Sequence, residues 1–202
     1  MFNALKSGGP LMIPIILCGL CAIFIIVERI VYFFNLKKRD KVFLTQLQTE
    51  LEKRDFAAAE TCCVLSETPC AQVMKTLISN RHLNEADLKE LVQTKMDSVV
   101  PQFEHLLSAL GTIASISTML GLLGTVTGNI KAFGVLSNGG TMGDPALLAN
   151  AIAQALITTV GGLAVSIPSI IFQNYFNNRV NHNIRDMESE VTQTMFKILG
   201  KF

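Results

Sequence analysis

Between Asp144 and Arg179 the chain carries no charged residue, a run longer than the ~20 apolar residues a bilayer-spanning helix needs. Its centre, Asn150 to Gln173, reads NAIAQALITTVGGLAVSIPSIIFQ. On a helix advancing about 100° per residue, Asn150, Gln154, Thr158, Gly161, Gly162, Ser166, Ser169 and Gln173 fall in one arc of roughly 160°. Ile152, Leu156, Val160, Leu163, Ile167 and Ile171 occupy the other face. The segment therefore reads as a membrane helix with a polar stripe, and this requirement limits the folds open to the rest of the chain.

Two further uncharged runs, Pro10 to Val27 and Leu106 to Ile130, bring the candidate spans to three. Half of the 202 residues are hydrophobic and only 16% are charged. The formal net charge of +1 gives no basic field for nucleic acid. The predicted fold class is all-α: an integral membrane protein with three transmembrane helices and a helical cytoplasmic domain, helices 2 and 3 extending beyond the bilayer. The first run is longer than a signal-peptide h-region, shows no small-x-small cleavage site and leads into Glu28 and Arg29, so it reads as a retained helix. Lys37, Lys38, Arg39 and Lys41 follow it, against Lys6 before it, which predicts an amino terminus outside and a cytoplasmic carboxyl terminus.

The expected layout is a periplasmic amphipathic lead-in at 1–10, transmembrane helix 1 at 11–34 and a cytoplasmic helical domain at 35–105. Transmembrane helix 2 follows at 106–136, a short periplasmic loop at 137–145, transmembrane helix 3 at 146–176 and a cytoplasmic C-terminal helix at 177–202. In the cytoplasmic segment the apolar residues recur at helical spacing, and Asn84, with Asp87 three residues on, predicts a helix start running toward Pro101. The loop SNGGTMGDP ends with Asp144 as an expected N-cap and Pro145 as the first helical residue. A loop this short makes the second and third spans antiparallel neighbours. The second span carries its own stripe, in which Ser117, Gly121, Thr125 and Gly124, Gly128 have the small-xxx-small spacings that let helix backbones approach, with Gly121, Gly124 and Gly128 as the packing candidates. Gly161 and Gly162 are the corresponding packing candidates in the third span.

Ser and Thr in such stripes can bond back to the preceding turn, but two adjacent wide arcs point to a shared polar path walled by several copies. The predicted pore-lining residues are Thr125, Asn150, Gln154, Thr158, Thr159 and Ser166. An ion path normally holds an ionisable group at membrane depth, and neither Leu106 to Ile130 nor Pro145 to Asn178 contains one, so a titrating group would have to come from another chain. The five cysteines form no zinc pattern and read as structural thiols. His82, His105 and His182 lie scattered, and no segment groups a nucleophile with a base. Neither metal, cofactor nor enzyme activity is expected.

Met119 to Gly128, MLGLLGTVTG, and Ala151 to Pro168, AIAQALITTVGGLAVSIP, resemble the two signature segments of the ExbB, TolQ and MotA proton-channel family, most nearly its ExbB and TolQ branch. Gly8-Gly9-Pro10-Leu11-Met12, the Glu28-Arg29 pair and LEKRDFAAAETC from Leu51 to Cys62 extend the likeness over nearly the whole chain. The resemblance implies a homo-oligomer, a pentamer, in the bacterial inner membrane, surrounding an ExbD- or TolR-like single-span subunit that bears an intramembrane Asp. It implies a stator of an ion-driven, proton-driven motor that converts ion-motive force into work on a TonB-like or Tol-like system. Thr125 and Thr159 match the family's threonines, although the arc places Thr158 more centrally than Thr159. The departure is Gln154, where the ExbB and TolQ pattern A-E-A-L has a glutamate. That departure motivates a second reading, a non-conducting scaffold ring that clamps partner helices and transmits force. A small solute transporter is the weaker third, since no inverted repeat or broken helix pair is evident.

Overall fold

The computed structural model describes residues 8–138 and 145–199. Its described elements are all helical: α1 Met12–Glu52, α2 Phe56–Ser66, α3 Pro69–Ser79, α4 Glu85–Glu104, α5 Leu107–Asn138 and α6 Pro145–Ile198. Three of them, α1, α5 and α6, are long and apolar enough to cross a membrane. The lead-in over residues 1–7, the loop over 139–144 with the expected Asp144 cap, and the last residues from 200 lie outside the described residues.

The helices start and stop for local reasons. Gly9, at φ 71°, makes the left-handed turn that a Cβ would resist, and the amide of Met12 donates to its carbonyl at 3.1 Å to open α1. The helix does not end with the apolar run at Phe34. Neither Gly nor Pro interrupts the sequence beyond, and Phe43 and Leu47 are buried on the continuing helix, which reaches Glu52. It stops where Arg54 turns left-handed at φ 58°, with the Asp55 amide reaching back to the Glu50 carbonyl at 3.1 Å. The side chains of Asp55, Thr68 and Asn84 then cap α2, α3 and α4, accepting from the amides of Ala58, Ala71 and Asp87. Helix α4 runs through Pro101 to Glu104, because buried Val99 and Phe103 on either side hold it while exposed Pro101 loses its amide bond at the surface.

Over the described residues the chain forms two compact units, Met1–Glu28 with Leu106–Tyr175, and Arg29–His105 with Phe176–Phe202. The second unit has an ordinary apolar core. Val73, Met74, Leu77 and Ile78 of α3 are fully buried, as are Leu88 and Val99 of α4. Within the same unit the Phe33 and Phe176 rings stack at 5.9 Å, setting the register of α1 against α6. Arg29 is 97% buried, with its guanidinium 4.6 Å from the centre of the Tyr32 ring and Nη2 3.4 Å from His105 Nδ1. Since a guanidinium can only donate, the imidazole nitrogen is the acceptor.

The first unit is built differently. It is held by small residues, and most of its large apolar side chains point outward, including Leu20, Phe24, Met119, Leu122, Val160 and Ile171. An inverted exterior of this kind suits a bilayer or a neighbouring helix.

Candidate ion-path site in the membrane unit

Helices α5 and α6 run antiparallel and touch almost backbone to backbone. A Cβ on Gly162 would lie 2.5 Å from the Ser117 carbonyl oxygen and 2.9 Å from the Gly121 Cα. One on Gly121 would meet the Thr159 backbone at 3.3 Å, and one on Gly124 the Thr158 Cγ2 at 2.5 Å. Gly128 faces Ala155 and lies against the Ala151 carbonyl, and Gly111 makes room for the Gln173 amide. At Gly121, Gly128 and Gly162 the facing atoms include backbone that cannot turn aside, so glycine is required there for close approach, which gives dispersion contacts where lipid offers no hydrophobic drive. Gly161 has a different neighbour, since a Cβ there would meet the Met12 side chain of α1 at 2.8 Å. Gly19 of α1 faces Val165 in the same way. Helix α6 is therefore wedged between α5 and α1.

The hydroxyls follow this geometry. Thr159 Oγ1 donates to the Gly121 carbonyl across the helix pair at 3.0 Å and also to its own Ala155 carbonyl at 3.2 Å. Thr118 Oγ1 donates to Ser166 Oγ at 2.7 Å. Thr158 Oγ1 donates to the Gly8 carbonyl at 2.9 Å and to the Gln154 carbonyl at 2.8 Å, tying the chain just before α1 to α6. Among the described residues Thr125 bonds locally, to the Leu122 carbonyl at 2.6 Å. Ser117 Oγ is buried with no hydrogen-bond partner among the described residues, which costs about 1–3 kcal/mol.

The six residues read as lumen-facing thus separate. Thr158 and Ser166 are 1% and 2% exposed, buried within the single chain by α1's lead-in and by α5. Thr125, Gln154 and Thr159 keep partial exposure, and Asn150 is exposed. The arc drawn on the sequence merges these two faces because a helical wheel records polarity, whereas the neighbour on each side decides which polar groups are covered.

Two contacts go beyond the sequence reading. Lys131 Nζ donates to Gln154 Oε1 at 3.3 Å. The other end of the Gln154 amide packs against Gly9. Lys131 is the residue immediately after the uncharged run, and counting helical rise from the loop on either side puts it near the depth of Gln154. That count was the available signal.

Taken together, the three apolar helices, the outward-facing apolar side chains and the hydroxyl-lined seam define a multi-pass α-helical membrane protein whose polar groups are concentrated between its helices. The chain belongs to the MotA/TolQ/ExbB proton channel family, which it matches over residues 65–189. It is similar to a Synechocystis protein named as an ExbB-like biopolymer transport protein, at 23% identity over 85% of this chain and 82% of the relative. The biopolymer transport protein ExbB of Neisseria meningitidis serogroup A is 22% identical over 97% of this chain and 96% of its own length. The Tol-Pal system protein TolQ of Haemophilus influenzae is 38% identical over 43% of this chain and 37% of its own.

Proposed function

We propose that the chain is the stator subunit of an inner-membrane, proton-driven motor. It works as a homopentamer around an ExbD- or TolR-like single-span subunit and drives a TonB-like or Tol-like system. The observation that carries this reading is the pairing of Gln154 with Lys131: the family position that would hold a carboxylate holds an amide, occupied by a cation. The helix pair then solvates a path without carrying the proton, and the carrier is the partner's membrane Asp. Thr125, Gln154, Thr159 and Asn150 form the wall of that path, while Thr158 and Ser166 hold the wall together. The amino terminus is periplasmic and the carboxyl terminus cytoplasmic, on the strength of the basic cluster Lys37 to Lys41. Each proton crossing ~100 mV releases roughly 2.3 kcal/mol, so several per cycle can bias a packed rotor between positions.

The test is proton flux into proteoliposomes containing this chain and its single-span partner under an imposed potential. Flux is expected with Gln154 in place and is expected to stop when the partner's membrane Asp becomes Asn. Flux that survives that change refutes the assignment of the carrier. The neutral amide at Gln154 also favours a second reading, a non-conducting ring that clamps partner helices, and absence of flux from the unmodified complex would select it.

A further inference from the structure

The polar seam of the membrane unit does not end at Thr125 and Thr159. On their side of the α5–α6 pair, polar side chains recur every seven residues: Thr125 and Thr118 on α5, and Thr159, Ser166 and Gln173 on α6, with Gly111 opening opposite Gln173. Seven residues are close to two turns, so each step keeps nearly the same face and stands roughly 10 Å farther along. Thr118 meets Ser166 through their 2.7 Å bond, and the Gln173 amide packs into the hollow at Gly111. Counted along α5 from Lys131, Thr125 lies about 9 Å in, Thr118 about 20 Å and Gly111 about 30 Å, the thickness of a hydrocarbon core. Leu122 and Leu163 occupy the interval below the threonine pair, so Thr118 is the first polar group beyond them. Thr118 and Ser166 have unequal parts. Ser166 is 2% exposed, and its side-chain bond among the described residues is the one to Thr118. Thr118 is exposed, and its hydroxyl also reaches the Ala114 carbonyl at 3.1 Å. A hydroxyl has one hydrogen and two lone pairs. With its hydrogen on Ala114, the Thr118 oxygen receives the Ser166 hydrogen and keeps a lone pair for its exposed side. A bond made for packing alone is covered at both ends, as the Thr158 bond to Gly8 is. The Gln173 side-chain amide is half-buried and has no hydrogen-bond partner among the described residues, which calls for water there.

We propose that Thr118 lines the half of the ion path between the threonine pair and the cytoplasm, with Ser166 as its positioning residue and the Gln173 amide at the mouth. Ser166 holds the Thr118 oxygen toward the path, where it accepts a hydrogen bond from the hydrated proton that has left the partner's carboxylate. The amide oxygen of Gln173 does the same at the exit. Hydroxyl and amide oxygens are uncharged, so they solvate a proton in passing without retaining it, as conduction requires. The inference rests on the proton-driven reading and names the groups of this chain that serve its cytoplasmic half.

The test is proton flux into proteoliposomes holding the full chain and its single-span partner under an imposed potential. Thr118→Val keeps the shape and deletes the hydroxyl, and flux is expected to fall about 5-fold, the weight of one hydrogen bond. Thr118→Ser should restore most of it. Ser166→Ala releases the Thr118 oxygen without removing it and should lower flux by about 2-fold, a fraction of that bond. Thr127→Val is the control: Thr127 bonds back to the Leu123 carbonyl at 3.0 Å on the opposite side of α5 from Thr118, and flux there should equal that of the unmodified complex. Undiminished flux in Thr118→Val overturns the proposal. So does a fall that Thr118→Ser fails to restore, which would assign the effect to shape, or an equal fall in Thr127→Val, which would mark a general loosening of the helix pair. If the unmodified complex passes no protons, the motor reading itself fails and this inference falls with it.

Discussion

Replacing Gly162 by Ala adds one methyl group at the tightest point between α5 and α6. The new Cβ would sit 2.5 Å from the Ser117 carbonyl oxygen, some 0.9 Å inside an ordinary contact of 3.4 Å. Its neighbours are backbone atoms of α5, so no side-chain rotation relieves the overlap and the helices must separate. Overpacking of this kind costs about 1–3 kcal/mol. The separation also stretches the 3.0 Å bond from Thr159 to the Gly121 carbonyl, typically worth about 0.6 kcal/mol in a membrane helix pair. Against this, Ala favours helix over Gly by about 0.8–1 kcal/mol. The expected net destabilisation is about 0.6–2.8 kcal/mol. Gly134 is the internal control, since a Cβ there meets nothing within 4 Å, and Gly134→Ala should be neutral or stabilising by up to about 1 kcal/mol. Thermal loss of helical circular dichroism in detergent micelles measures both. If Gly162→Ala melts at or above the temperature of Gly134→Ala, the close approach described here is not what holds the pair.

Gln154→Glu puts a carboxylate oxygen where the amide oxygen now stands 3.3 Å from Lys131 Nζ, and the expected result is a more stable unit whose gain disappears in Gln154→Glu with Lys131→Gln, read as a double-mutant cycle of melting temperatures. Asn84→Ala removes the side chain that accepts the Asp87 amide at 2.8 Å and should cost about 1 kcal/mol, while Asn84→Asp should retain most of the stability. Burial first, then the neighbouring Cys62 and Glu60 charges, pushes the Cys63 thiol up to about 12, and burial raises Cys70 as well. At neutral pH a maleimide should therefore modify Cys62 well before either, with all three reacting after denaturation. Because both folded thiols hold their protons above the unfolded value of 9.0, the native state binds more protons than the unfolded chain once pH exceeds that value. Stability should therefore fall as pH rises past 9, and a melting temperature that climbs in that range would contradict the burial.

Much of this protein is determined by the sequence alone, and for one reason: the bilayer is a severe solvent. Uncharged runs longer than a membrane is thick specify spans, so the three long apolar helices were legible, as was the small-residue seam of α5 from the spacing of Gly121, Gly124 and Gly128. The Asn84 cap was legible too, because a cap depends on a side chain and an amide three residues away. The signature segments around Thr125 and Thr159 carried the family. What the sequence left open depends on contacts between residues far apart in the chain. Helical periodicity could show that α6 has a polar arc, yet only packing showed that α5 covers Gly162 and Ser166 while α1 and Gly8 cover Gly161 and Thr158. The extension of α1 to Glu52 was hidden because its polarity changes at Phe34 while its backbone does not. Lys131 reaching Gln154 follows from the register between helices. Periodicity assigns each helix its faces, and tertiary packing decides what each face meets.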